Sequence, residues 1–501
     1  MLVTTFSIIL GLIASILLEH YVKPLPTFTR RPLPTYPLHA ATFCATFLLF
    51  LLLTKRPIFS ALATLCFNII VIGINNAKYK ALREPMVFSD FILFSQAVKH
   101  PRLYLPFLGL IPAIATPVIA GLIIFVCVKL EPPLFNYTEL TATGIGMIIA
   151  AILMATSSIL YFSFKSTPTL KPTADVINFG LIPSLVIYLT HSRHPSEQNG
   201  VTSKFQTRIQ ATAEGNTRRP NIIAVQSESF FDARKLHPAI RPSILSNFDS
   251  CTASALLSGT LTVPAWGANT MRTEFSFLTG IANESLRFNQ FDPYQAFAGK
   301  QLHSIASYLS NLGYRCICIH PHPITFFKRD QIFPQLGFHE FIDITAFDES
   351  QKSGPYIGDL AVADKIVEVL KASSEPHFIF AITMENHGPL HLEQVNPDDH
   401  KELYTTPPPE EFHDLTVFLR HLRNADSMIG KITTTLKKDD PTAIFALFGD
   451  HVPSMPKVYE TLSHEDAKTD YFIWSSQTKA ENREDLSAEF LAERILETVN
   501  Q

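Results

Sequence analysis

The sequence carries little charge for its length, and that charge is nearly balanced. Charged residues make up 17% of the 501, with 41 Lys and Arg against 45 Asp and Glu. A formal net charge of -4 gives no basic field for holding a polyanion, which argues against nucleic acid as the substrate. Cysteine is also sparse. Of the six, Cys44, Cys66 and Cys127 lie in apolar runs, while Cys251, Cys316 and Cys318 form an odd set in the polar half without paired CxxC spacing. No disulfide framework is expected. The chain is too long for one ordinary core, so about two folded units are expected.

Apolar sequence is abundant and unevenly spread. A bilayer-crossing helix needs about 20 mostly apolar residues, each adding about 1.5 Å across a hydrocarbon layer of about 30 Å. Residues 3–18, 40–54, 58–74, 105–128 and 141–164 contain no Asp, Glu, Lys or Arg, and they predict five spans. The first lacks a basic leading region and is followed by further spans, so it reads as an uncleaved helix. Pro106, Pro112 and Pro117 predict a kink in the fourth. Residues 176–189 are short and carry Asn178, Gly180 and Pro183, which fits an interfacial helix. Basic residues concentrate between spans one and two (Lys23, Arg30, Arg31) and between three and four (Lys78, Lys80, Arg83, Lys99, Arg102), favouring an outside N-terminus. Five spans would then leave the polar half in the cytoplasm, and a sixth would carry it outside; both stay open at this level. Residues 192–220, rich in Ser, Thr, Asn, Gln and basic side chains, read as a linker.

From residue 221 the pattern becomes short apolar runs separated by amphipathic stretches. Residues 221–226, 316–320, 377–383, 442–448 and 471–474 read as buried strands, with helices over 302–312 and 357–370. A doubly wound α/β sheet follows, whose carboxyl-end loops converge on one crevice. Polar residues gather at those ends. Glu228 enters just after the first run, and Asp450-His451 follow the fourth beside Gly449. Carboxylate oxygen with imidazole nitrogen suits zinc or manganese, magnesium tolerating imidazole less, and no nearby cysteine makes a closed structural site. The Met384-Glu385-Asn386-His387-Gly388-Pro389 turn exposes His387, a candidate for binding substrate or shuttling a proton. Thr270 follows a glycine turn into a predicted helix, where free N–H groups attract phosphate and a metal would lower the hydroxyl pKa.

Each of these residues also has a plain structural reading. Glu228 alone fits a solvated loop, Thr270 an N-cap, Asp450-His451 a turn, and Arg329 beside Asp330 a surface ion pair worth under about 1 kcal/mol. Their combination at strand and helix ends outweighs those readings. Phe412, Leu415, Leu419, Leu422 and Ile429 recur at helical spacing and read as packing, as do Trp266 and Trp474.

The chain resembles the lipoteichoic acid synthase and phosphoglycerol transferase branch of the alkaline phosphatase and sulfatase superfamily. The matching residues are Val225-Gln226-Ser227-Glu228-Ser229-Phe230, Asn269-Thr270 through Glu274-Phe275, Thr325-Phe326-Phe327-Lys328-Arg329-Asp330, Glu385 through Pro389, Phe448-Gly449-Asp450-His451, and Arg83-Glu84-Pro85 to Asp90 between spans. The resemblance implies an N-terminal α-helical membrane bundle (1–191), a linker (192–220) and a C-terminal α/β alkaline-phosphatase-like (sulfatase) domain (221–501) outside the cytoplasm. It implies that Glu228, Thr270, Asp450 and His451 hold one divalent metal, with Thr270 also attacking phosphorus. Manganese or magnesium is expected, with zinc the alternative. Arg329, His387 and Phe327 would meet a phosphoglycerol-like head group, with His320 a further substrate-side candidate. Two positions depart from the family pattern: Ala268-Asn269 replaces a glycine-lysine pair, and Phe327 replaces a tryptophan. The expected partners are a membrane phospholipid donor and a glycan or glycolipid acceptor. Phosphoethanolamine transfer, sulfuric or phosphoric ester hydrolysis, and an inactive lipid-binding sensor are the alternatives.

Overall fold

We describe residues 2–91, 110–134, 142–193, 203–206, 219–477 and 482–499 of a computed structural model. The chain divides into two compact units, Met1–Asn199 and Gly200–Gln501.

The first unit is helical, with α1 (Leu2–Leu18), α2 (Thr35–Thr54), α3 (Pro57–Leu82), α4 (Leu110–Leu130) and α5 (Ala142–Phe164) on the five apolar runs. Among the described residues, three helices, Leu2–Tyr21, Thr35–Thr54 and Pro57–Leu82, are long and apolar enough to cross a membrane. Helix α4 runs on through Pro112 and Pro117; residues 105–109, including Pro106, lie outside the described residues. The expected interfacial helix is instead two helices, α6 (Pro172–Phe179) and α7 (Leu181–Ser192), broken at Gly180. Val176, Leu181, Ile187 and Tyr188 are buried within this unit. Gly180 has φ +89°, and a Cβ there would collide with Glu19 and Arg31, whose side chains form a buried ion pair. Only glycine meets both demands. Glu19 also accepts the Ile182 N–H at 3.3 Å, pinning the start of α7.

Among the described residues the second unit holds ten strands: β1 (Ile222–Ser227), β2 (Leu257–Thr262), β3 (Arg315–Ile319), β4 (Glu340–Ile342), β5 (Lys352–Ser353), β6 (Tyr356–Ile357), β7 (His377–Ile382), β8 (Ile444–Gly449), β9 (Thr469–Trp474) and β10 (Leu486–Ser487). Eight form one sheet in the order β10-β2-β9-β8-β1-β7-β3-β4, and β5 pairs with β6. The β8-β1-β7-β3-β4 block is parallel, while β9 runs antiparallel to β8 and β2. The five expected strands are all present. Five were missed: β2 mixes polar and apolar residues, and β4, β5, β6 and β10 are too short to show a period.

Alternation along β1 builds two cores. Ile223 and Val225 pack with α10 (Asp359–Ala372) and α11 (His413–Asp439) on one face. Ile222 and Ala224 pack with α8 (Thr270–Thr279), α9 (Arg329–Gln335) and α12 (Ala488–Val499) on the other. Within the expected linker, Phe205 is buried in this second core and Ser203 Oγ donates to the Thr279 carbonyl at 2.7 Å, so residues 203–206 belong to the folded unit. All six cysteines are free.

Candidate active site

Strand β1 is central, and its chain turns sharply on leaving the sheet, with Ser229 at φ 57°. That turn faces the loop after β8, where Asp450 and His451 emerge. The ligand atoms of Glu228, Asp450 and His451 lie within 4.8 Å of one another, and all three residues are buried. His451 Nε2 is 3.5 Å from Glu228 Oε1 and 3.4 Å from Asp450 Oδ2. Ser229 holds the arrangement. Its N–H donates to Asp450 Oδ1 at 2.8 Å and its hydroxyl to Glu228 Oε1 at 2.9 Å. The His451 Nδ1–H donates to the Val452 carbonyl at 3.0 Å, leaving the Nε2 lone pair turned to the carboxylates.

The cluster fits a divalent cation. Asp450 Oδ2 and His451 Nε2 are buried without hydrogen-bond partners, an expensive condition for acceptors unless a positive charge sits among them. Burial and the neighbouring Asp450 carboxylate push the Glu228 carboxyl up to about 8. Two oxygen ligands and one nitrogen, with coordination positions to spare, form an open set of the catalytic kind.

Thr270, half-buried, is the first residue of α8, after Asn269 in the left-handed region at φ 68°. Two hydrogen bonds tie this helix start to the Asp450-His451 loop: Gly267 N–H to the Val452 carbonyl at 2.9 Å, and Thr273 Oγ to the Asp450 carbonyl at 2.7 Å. The helix N-terminus therefore meets the loop that supplies two of the three cluster residues.

Arg329 is not a surface residue paired with Asp330. It is buried and forked onto Glu274, Nε to Oε1 at 3.0 Å and Nη2 to Oε2 at 2.7 Å. Tyr294 OH also donates to Glu274 Oε1 at 2.5 Å. Arg329 Nη1 reaches His320 Nε2 at 3.3 Å, and His320 Nδ1 donates to the Ile382 carbonyl at 3.1 Å. Burial, followed by the Arg329 charge, holds the His320 imidazole well below its usual range, so it accepts from Arg329 as a neutral ring. Both His320 nitrogens are thus spent, and the residue orients Arg329 instead of offering a donor to a ligand. A guanidinium has five N–H donors, so after these three contacts two remain.

Phe327 and Lys328 are both left-handed, at φ 54° and φ 57°, a backbone cost of roughly 1–3 kcal/mol each that is commonly stored at functional sites. The Phe327 ring lies 5.4 Å from the Arg329 guanidinium carbon. His387 Nδ1 donates to the Gly388 carbonyl at 2.7 Å, and burial holds its pKa below the usual value. A neutral ring with Nε2 unprotonated follows. Arg329 acts electrostatically on Glu228, and Asp450 on His387, so these substrate-side candidates and the carboxylate cluster share one field.

The family profile described as Sulfatase matches residues 220–500. The chain belongs to the sulfatase family. The expected alkaline-phosphatase-like α/β domain is borne out, and enzymes of this family work with a divalent metal, for which the Glu228, Asp450 and His451 cluster is the candidate site. A capsular polysaccharide biosynthesis protein, RkpI, of Rhizobium meliloti is similar at 27% identity over 85% of this chain and 78% of that protein. The lipoteichoic acid synthase of Staphylococcus aureus is similar at 26% identity over 28% of this chain and 21% of that protein. Among solved structures, Streptococcus pyogenes phosphoglycerol transferase GacH in complex with sn-glycerol-1-phosphate is similar at 23% identity, with TM-score 0.48, over 59% of this chain and 78% of that one.

Sequence reasoning missed Glu274, Tyr294, Ser229 and Thr383 as site residues. Glu274 carried a signal, standing four residues after Thr270 and thus on the same side of one helix.

Proposed function

We propose that this chain is a membrane-tethered transferase that moves a phosphoglycerol-type head group from a phospholipid to a glycan or glycolipid acceptor through a phospho-threonine at Thr270. The observation that carries the reading is the buried Glu228, Asp450 and His451 cluster, with its unpartnered acceptor atoms, two of whose members stand on the loop that grips the α8 N-terminus. A divalent ion held there by Glu228, Asp450 and His451 would supply the positive charge that favours an ionised hydroxyl and offsets charge on phosphate oxygens.

The chain's own residues account for the rest. Thr270 Oγ forms a bond to phosphorus as the bond to the lipid alcohol breaks, and the Thr270 hydroxyl proton passes to the departing alkoxide. An acceptor hydroxyl then attacks the same phosphorus, and its proton, by way of a base, returns to Thr270 Oγ as the Oγ–phosphorus bond breaks. His387, neutral with Nε2 unprotonated, is placed by this reading as the group that takes that proton. The two remaining Arg329 N–H donors bind head-group oxygens, held rigid by Glu274 and His320. The free α8 N–H groups favour the phosphate. Similarity to a capsular polysaccharide biosynthesis protein supports a glycan acceptor, and similarity to a lipoteichoic acid synthase supports a phosphoglycerol-type group. Tethering confines donor and enzyme to one surface and raises their effective concentration.

The test uses full-length protein in nanodiscs containing labelled phosphatidylglycerol and an oligosaccharide acceptor. Label should transfer with manganese present, stop on chelation, and be lost by at least about 1,000-fold in Thr270→Ala, as for a removed nucleophile. Undiminished transfer by Thr270→Ala would refute the reading.

A further inference from the structure

We infer that Thr383 is a positioning residue that aims Glu228 at the candidate metal. This inference rests on the reading of Glu228 as a metal ligand. The paired register of β1 with β7 ends at Gln226 and Ile382. Beyond it, the Glu228 N–H donates to the Thr383 hydroxyl oxygen at 3.0 Å. Thr383 is itself fixed, because its N–H donates to the Gln226 carbonyl at 3.1 Å.

Thr383 thus offers its hydroxyl oxygen to the Glu228 N–H from a backbone already paired to β1. The stretch after Thr383 is held as well, through Asp359, which is 1% exposed at the start of α10. Its N–H donates to Glu385 Oε2 at 2.7 Å, and Glu385 Oε1 takes His421 Nδ1 at 2.9 Å and Asn424 Nδ2 at 2.5 Å, both from α11. Helices α10 and α11 thereby hold the turn between β7 and His387, and through Thr383 the first residue after β1.

Stability alone does not explain this chain of contacts. Asp359 Oδ1 is buried with no hydrogen-bond partner, and apolar groups of the same shape would serve packing as well or better. Aim explains it. With Ser229 left-handed on one side, the Glu228 N–H itself is fixed on the other by Thr383. Hydrogen-bonded supports of this kind typically change metal affinity by about 10–100-fold when removed.

Manganese binding to the full-length, metal-free protein in detergent, followed by electron paramagnetic resonance of the free ion, tests this. Wild type should bind, Glu228→Ala should not, Thr383→Val should bind at least about 10-fold more weakly, and Thr383→Ser should stay within about 2-fold of wild type. Thermal unfolding of the metal-free proteins separates aim from folding, and Thr383→Ala replaces Thr383→Val if the latter does not fold. Wild-type affinity in the folded Thr383→Val or Thr383→Ala protein, with Glu228→Ala still deficient, overturns the positioning role alone. Equal binding by wild type and Glu228→Ala overturns the metal reading and this inference with it.

Discussion

Arg329 and Glu274 are both almost wholly inaccessible to water, joined by two hydrogen bonds. Removing one member of such a pair strands the other charge in the core, at a cost of about 3–5 kcal/mol. Arg329→Ala should therefore destabilise the catalytic domain by that amount in chemical denaturation, whereas loss of a surface pair with Asp330, the plain structural reading of the sequence, would cost under about 1 kcal/mol. A loss within the smaller range would mean that Glu274 is hydrated without its partner. The residues that sequence reasoning reached share one property: Glu228, Asp450, His451 and Thr270 sit where an apolar run or a glycine turn ends, which is legible along the chain. Thr383 closes the 377–383 run as well, but that place along the chain does not name its partner. Thr383 acts on a residue 155 positions away, and Asp359 stands at a helix start that any Asp would suit.

Gly449 ends β8, and a Cβ there would collide with the Phe230 carbonyl of the neighbouring turn. Gly449→Ala should push the two loops apart and cut manganese affinity by at least about 10-fold, measured as above; unchanged affinity would show that the close approach is dispensable. Helix α11 looked from its apolar spacing like packing alone, and its buried Leu415, Leu419, Leu422 and Ile429 do pack. Its polar face does more. Burial opposes a charged His421, but hydrogen bonds with Glu385 and Glu393 outweigh it and push the imidazole up to about 9, against about 6.5 in an unfolded chain. The folded state holds the extra proton, so this contribution is full below about pH 6.5 and is lost as pH rises through about 9. The unfolding temperature of wild type should fall across that window more steeply than that of His421→Gln, and parallel curves would contradict the assignment. Periodicity exposed the five buried strands because each is apolar on both faces; β4 and β10, at three and two residues, are set by their neighbours instead.

Three helices of the first unit suffice by length and composition to hold the protein in a bilayer. Of the basic residues counted for orientation, Arg31 is paired with Glu19 in the interior and Lys78 with Glu84 at 2.9 Å and Asp90 at 2.7 Å. An outside catalytic domain, where glycan acceptors are found, is the arrangement that the proposed reaction requires. With the six native cysteines replaced by serine, a membrane-impermeant maleimide should label Glu349→Cys, an exposed position, in intact spheroplasts; labelling only after lysis would put the domain in the cytoplasm. The central claim is that Thr270 carries the transferred group. Rapid acid quenching of the full-length enzyme during turnover of labelled phosphatidylglycerol, followed by peptide mass analysis, should find a phosphoglycerol adduct on Thr270, while steady transfer with Thr270 unmodified and the adduct on another residue would contradict it.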